Sequence, residues 1–252
     1  MDHEQRDRQR WLLSDRIRRQ VDWRNTAQNR GQPPPPIQKS PPEDATRIAL
    51  PGPDAWGGFE RVSLLAAIAG RQSRRSFNDQ PLALAELSFL LWATQGVRAR
   101  AGPQAVLRTV PSAGNRHSLE TYLALMRVEG LERGLYRYLP LDHELVLERA
   151  DERLGPAVTA ACLGQRFCGA SAVTFIWTTV AERMEWRYDL AAHRVIPLDA
   201  GHVGQNLYLA CEAIGAGTCA VAAYDQEAMD ALLGVDGNDE FTLYLAPVGK
   251  IG

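Results

Sequence analysis

Lysine is almost missing from this chain: Lys39 and Lys250 are the only two among 28 basic residues, the other 26 being arginine. The bias has no functional weight by itself. Cysteine is sparse as well. Cys162, Cys168, Cys211 and Cys219 contain no CxxC pair, and their spacings fit neither a zinc site nor a thioredoxin-like motif. A chain of 252 residues has no need of disulfide staples, so a reducing, cytoplasmic setting is expected. No apolar run approaches the roughly 20 residues that cross a bilayer. The arginine-rich N-terminus is interrupted by Asp2, Glu4, Asp7 and Asp15 and lacks the apolar stretch of a secretory signal. A basic excess is absent too. The formal charge is −2, which argues against general nucleic-acid binding.

Apolar residues are plentiful, at 45% of the chain, which is enough for a real core and excludes wholesale disorder. The length suits one large domain or two small ones. Residues 1–60 differ from the rest. Leu13, Ile17 and Val21 recur at four-residue intervals and predict a short helix within residues 4–21. Residues 33–36 are all proline, and Pro41, Pro42, Pro51 and Pro53 follow; this density imposes extended, polyproline-like chain. A ligand for an SH3-type module is one reading. Trp11, Trp23, Ile37, Ile48, Leu50 and Trp56 are too many anchors for a free linker. The preferred reading is an arm, residues 1–60, laid across the main domain, residues 61–252, or across a second copy.

In the main domain, residues 63–70 and 81–96 predict helices, the second with Leu84, Leu87, Leu91 and Trp92 on one side and Gly96 as its stop. Residues 119–128 and 172–180 predict buried strands, the latter central because it is β-branched and aromatic. Residues 135–139 and 145–148 predict a hairpin, and 154–165 a helix. A long helix is predicted from Asp199, as N-cap, to Gly215, with Val203, Leu207, Cys211 and Ile214 as its stripe. Strands at 219–223 and 241–248 flank a helix at 225–233. Helices and strands mix without a regular βαβ rhythm, which favours an α+β fold with a helix-covered sheet over a Rossmann fold.

Three constellations carry chemistry. Arg71-Gln72-Ser73-Arg74-Arg75-Ser76-Phe77 places guanidiniums and hydroxyls close enough to clamp a phosphate, although arginines also end helices favourably. Pro111-Ser112-Ala113-Gly114-Asn115-Arg116-His117 is a polar turn whose small residues admit close backbone approach. Gly215-Ala216-Gly217-Thr218, continuing through Ala220, Val221, Ala222 and Ala223, has glycines after a helix and before a strand. That order is wrong for a Rossmann site, but a small-residue strand offers flat backbone to an aromatic cofactor.

Together with residues 87–96, Arg108-Thr109-Val110 leading into the polar turn, Gly134-Leu135-Tyr136-Arg137-Tyr138, residues 198–207 and Ala246-Pro247-Val248-Gly249-Lys250, these stretches resemble the nitroreductase-like flavoproteins. The likeness covers roughly residues 63–252 and is closest to the SagB-type dehydrogenases, which oxidise thiazolines and oxazolines to azoles in peptide natural products. The resemblance implies a central mixed or antiparallel sheet flanked by helices, and a homodimer with FMN in each cleft between subunits. Arg71, Ser73 and Arg75 would hold the phosphate with Lys250, with Gln72 among them. Pro111, Ser112, Ala113, Gly114 and Asn115 would contact the ribityl chain and ring, and Ala220–Ala223 would lie along the isoalloxazine and offer an N–H near N5.

Because the flavin carries the hydride chemistry, no nucleophile, triad or metal is expected. His117, His193 and His202 read as structural hydrogen-bonders, and Asp199 as a cap rather than a base. One departure stands out. Azole-forming members carry a Lys-Tyr pair implicated in proton removal, where this chain has Trp186-Arg187-Tyr188. Arginine stays protonated and is a poor base. Arg187 and Tyr188 are therefore candidate catalytic residues as anchor and acid; the alternative is an exposed loop. The expected activity is FMN-dependent hydride transfer to or from a small unsaturated or heterocyclic substrate. A broad NAD(P)H-dependent nitro- or quinone reductase and a non-catalytic flavin-binding protein are the alternatives.

Overall fold

Seven strands form one sheet in the order β1-β6-β5-β4-β7-β9-β8, in a computed structural model that describes residues 2–59, 61–102 and 105–252. They are β1 (Arg47–Ala49), β4 (Leu119–Leu125), β5 (Gly134–Leu139), β6 (Glu144–Ala150), β7 (Val173–Val180), β8 (Ala216–Thr218) and β9 (Glu240–Lys250), and every adjacent pair is antiparallel. Strands β2 (Val97–Gly102) and β3 (Ala105–Arg108) make a separate hairpin, which nothing in its arginine-rich sequence announced.

The centre of the sheet is covered on both faces, so β4 is buried along its whole length and β7 except at its last residue. Alternate residues serve opposite faces. Leu123, Phe175, Trp177 and Val248 meet α3 (Leu84–Gln95) and α7 (Ala192–Glu212) on one side. Tyr122, Ala124, Ile176 and Leu245 meet α4 (Leu154–Ala161) and α8 (Gln226–Leu233) on the other. Doubly buried strands read as near-continuous apolar runs, which is why both were legible in the sequence.

Two predicted elements need correction. The long helix does not begin at Asp199: α7 runs over 21 residues from Ala192, with Pro197 inside it. Ala192 and Ile196 extend the buried stripe of Ala200, Val203 and Leu207 one turn at a time, and that periodicity outweighs the N-cap signal of Asp199. The strand placed at 219–223 lies earlier, at Ala216–Thr218, where Gly215 with φ +58° turns the chain directly from α7 into β8. Within 219–223, Val221 alone among the described residues is held in a strand-like pair, with Leu245. Residues 154–165 form α4 only as far as Ala161, with α5 (Arg166–Ala170) following.

The N-terminal residues pack on their own chain. After α1 (His3–Leu13), Asp15 at φ +58° breaks the predicted helix into short 3-10 turns. Val21, Ile37 and Leu50 are buried, and β1 extends the sheet beside β6. Polar groups fasten the strap at 37–40. Arg108 Nη2 donates to the Ile37 carbonyl, Lys39 N donates to Glu120, and Lys39 Nζ meets Glu240 at 2.6 Å.

Candidate flavin site

The Arg71–Phe77 segment leaves α2 (Leu64–Gly70) and runs along the free edge of β8, where Ser73 pairs with Thr218 in parallel and Arg74 N donates to the Thr218 carbonyl at 2.9 Å. Two glycines make room for it. A Cβ on Gly217 would sit 2.6 Å from Arg74 Cγ, and one on Gly249 would sit 2.7 Å from Phe77 Cβ. The glycine singled out at 217 therefore serves close packing of the arginine segment.

The first and third constellations meet at Tyr208. Its hydroxyl lies 2.9 Å from Ser73 Oγ and accepts from Ala220 N at 2.9 Å. The Arg71 guanidinium stands 5.4 Å from the centre of the Tyr208 ring, and that of Arg75 lies 6.0 Å from Phe167. Neither guanidinium has a carboxylate partner among the described residues. Gln72 is exposed beside them. Lys250 reaches the same edge, but its ammonium is held by Glu86 and by the Ile214 carbonyl, so it is not free for an anion as it stands.

Ala220 and Val221 have also committed their N–H groups, to Tyr208 and to the Leu245 carbonyl. Ala222 and Ala223 are exposed, with no partner for either N–H among the described residues. The free backbone donors of this loop are thus its last two residues.

The second constellation is a tight 3-10 turn over Ala113–Asn115, with Gly114 and Asn115 both at φ +57°. Asp199, inside α7 rather than at its start, anchors the turn by accepting from Ala113 N through both carboxylate oxygens, at 3.2 and 3.3 Å. Burial pushes the Asp199 carboxyl above the usual range, opposed by its bonds to Ser112 and Ala113. His117 is buried, donates its backbone N–H to Ser112 Oγ and contacts Asn115 Oδ1 at 2.9 Å. Burial and the nearby Arg108 push its pKa down to about 3, so it is neutral at physiological pH and no proton donor. His193 and His202 are exposed.

Arg187 and Tyr188 stand at the end of α6 (Glu182–Tyr188), not on an exposed loop. Both are half-buried and pack on this turn. A Cβ on Gly114 would lie 2.5 Å from Arg187 Cδ and 2.8 Å from the Tyr188 hydroxyl. The structure therefore joins the polar turn to the candidate catalytic pair, and the arginine segment to the Ala220–Ala223 loop, as two separate groups.

Helical geometry fixes how those groups relate. Asp199 and Tyr208 are nine residues apart on α7, which at 100° and 1.5 Å per residue places them on opposite sides of the helix and about 14 Å apart along it. Tyr208 lay outside the apolar stripe and was missed; a tyrosine flanking a buried stripe was the available signal. Among the described residues no three His, Cys, Asp or Glu side chains gather as a metal site, and no helix is long and apolar enough to cross a membrane.

A nitroreductase-type protein of Methanocaldococcus jannaschii is 33% identical over 207 residues, which is 82% of this chain and 98% of the relative. A solved nitroreductase-type structure from Ralstonia eutropha superposes with a TM-score of 0.68 at 28% identity, covering 87% of this chain and 99% of that one. One from Anabaena variabilis gives 0.70 at 26% identity over 85% of this chain, which spans only 43% of that longer protein. At the level of fold alone, the likeness extends to an Exiguobacterium sibiricum structure in complex with FMN, with a TM-score of 0.55 at 12% identity. The nitroreductase family profile matches residues 68–250, and the chain belongs to the nitroreductase family.

Proposed function

We propose that this protein is an FMN-dependent oxidoreductase of the SagB-type branch, acting as a homodimer in the cytoplasm on a small unsaturated or heterocyclic substrate. The observation that carries the reading is the pair of unmatched guanidiniums, Arg71 and Arg75, flanking Ser73 on the edge of β8, with the open N–H groups of Ala222 and Ala223 on the loop that follows that strand. This donor set suits a phosphorylated cofactor with a planar ring: charged forks for the phosphate and bare backbone for the ring. Bound FMN supplies the hydride chemistry. The chain's own part is to hold the phosphate through Arg71, Ser73 and Arg75, and to present the turn Pro111–Asn115 with Arg187 and Tyr188 to the substrate side.

The dimer completes this arrangement. The two groups flank α7 on opposite sides, about 14 Å apart along its axis, and in the proposed dimer the turn of one copy faces the arginine segment of another. An apolar face is available for such pairing. Leu64, Leu65 and Ile68 on α2 and Leu198 on α7 are 55–79% exposed.

Arg187 favours a reductive direction. A permanently charged guanidinium anchors an anion or carbonyl oxygen but removes no proton, while the Tyr188 hydroxyl is a competent donor. Reduction of a nitro or quinone substrate with electrons from NAD(P)H is the second reading supported by that residue.

The test is direct titration of the purified protein with FMN. Each charge-assisted contact is worth about 1.5–3 kcal/mol, so Arg71→Ala weakens FMN binding by about tenfold or more. A wild-type protein with no affinity for FMN would defeat the reading.

A further inference from the structure

We infer that the N-terminal arm forms part of the substrate side of the site, with Gln28 as a positioning residue that holds the Arg187 guanidinium against the Gly114 turn and selects substrates bearing a carboxylate. The inference rests on the flavoprotein reading above and adds a substrate class and a residue to it.

Gln28 and Arg187 are 159 positions apart, and Arg187 Nη1 donates to Gln28 Oε1 at 3.1 Å. The contact is one of three between this part of the arm and the last turn of α6. Gln28 N donates to the Trp186 carbonyl at 2.9 Å, and Trp186 Nε1 donates to the Gln32 carbonyl at 3.0 Å. The arm segment is itself braced. Buried Thr26 accepts from Arg30 N through its carbonyl and from Asn29 N through its hydroxyl. A braced loop gripping both Trp186 and Arg187 leaves the guanidinium little freedom, and Gly114 leaves room for its Cδ on the other side.

The identity of residue 28 decides the chemistry. An amide oxygen orients a guanidinium without neutralising it, whereas a carboxylate would form an ion pair and cancel the charge. No carboxylate pairs with Arg187 among the described residues. Arg116, buried and 4.9 Å from the Trp186 ring centre, adds a second positive group beside it, and its Nε has no hydrogen-bond partner among the described residues. Two neighbouring guanidiniums, neither ion-paired with a carboxylate among the described residues and one of them braced, make a receptor for an oxyanion carried by the substrate.

The test compares 4-nitrobenzoate with its neutral analogue 4-nitrobenzamide, on the full chain loaded with FMN, for wild type, Gln28→Ala and Gln28→Glu. Affinity is measured by calorimetry, and turnover by steady-state kinetics with NAD(P)H as the electron donor that reduces the flavin. In Gln28→Ala the ratio of kcat/KM for the carboxylate over the amide falls by about five- to tenfold, mainly through KM, with flavin content unchanged. Gln28→Glu keeps shape and acceptor, so it preserves any merely structural role, yet its ratio falls at least as far because the new carboxylate occupies Arg187. Should Gln28→Ala not fold, the near-isosteric Glu variant decides alone. An unchanged ratio in Gln28→Glu with flavin bound overturns the inference. Failure of the flavoprotein reading is distinguishable: the protein then takes up no FMN, and calorimetry of the nitrobenzoate–nitrobenzamide pair on the flavin-free chain still reads the Gln28–Arg187 effect.

Discussion

Asp199 accepts the backbone N–H of Ala113 with both carboxylate oxygens across 86 positions of sequence, from the middle of a helix rather than its end. One buried carboxylate thus ties the polar turn to α7. Removing it in Asp199→Ala orphans that N–H and is expected to lower stability by about 1–3 kcal/mol, measured by urea unfolding. Asp199→Asn keeps an acceptor and behaves differently with pH. Because burial raises the folded-state pKa above 3.8, Asp199 contributes its stability below the unfolded pKa and loses it as pH rises through the folded value. The Asn variant therefore gains on wild type as pH rises above 3.8 and through the raised folded value.

Lys250 is committed to Glu86, whose other oxygen accepts from Ala83 N at the start of α3. Glu86→Gln preserves the cap and removes the carboxylate that neutralises the ammonium, leaving the Ile214 carbonyl as its partner. If Lys250 belongs to the phosphate clamp, the variant tightens FMN binding by about threefold or more, read by quenching of flavin fluorescence. An unchanged dissociation constant would remove Lys250 from the clamp.

In the dimer proposed above, the exposed apolar side chains of α2 are the candidate contact between copies. Leu65 is 79% exposed, and burying a leucine is worth about 1.5–3 kcal/mol. Leu65→Glu is expected to weaken self-association by about tenfold or more in sedimentation and to lower flavin content in parallel, since the two halves of the site then separate. A variant that remains dimeric places the interface elsewhere.

His117 makes acid stability measurable at one residue. Its pKa is about 3 when folded, against an ordinary value of 6.5, so the unfolded chain takes up the proton first. The stability it contributes is complete above pH 6.5 and is lost as pH falls towards 3. His117→Asn is expected to flatten the slope of stability against pH in that window, with unfolding followed by circular dichroism. A slope equal to that of wild type would show that the imidazole is accessible to solvent.

How much of this was legible in the sequence depends on the range of the forces involved. The β-branched run read at 172–180, the helix read at 225–233 and the stop at Gly96 follow from rules that act within a few residues, and the strand and helix appear within one residue of those bounds. So do the arginine-serine segment and the polar turn as local features. The start of α7 lies about two turns before Asp199 because the burial of Ala192 and Ile196 against the rest of the fold outweighs the N-cap signal of the aspartate.

The sequence by itself determined which chemistry the chain carries: guanidiniums rather than carboxylates at 71–75, small residues at 220–223, and arginine in place of a lysine at 187. The tertiary structure alone decided which of these groups act together. Tyr208 joins Ser73 to Ala220, Glu86 engages Lys250 from 164 positions away, and Gln28 meets Arg187 across 159. Hydrogen bonds act over about 3 Å, so partners distant in sequence are selected only once packing of helices on the sheet has brought their backbones together.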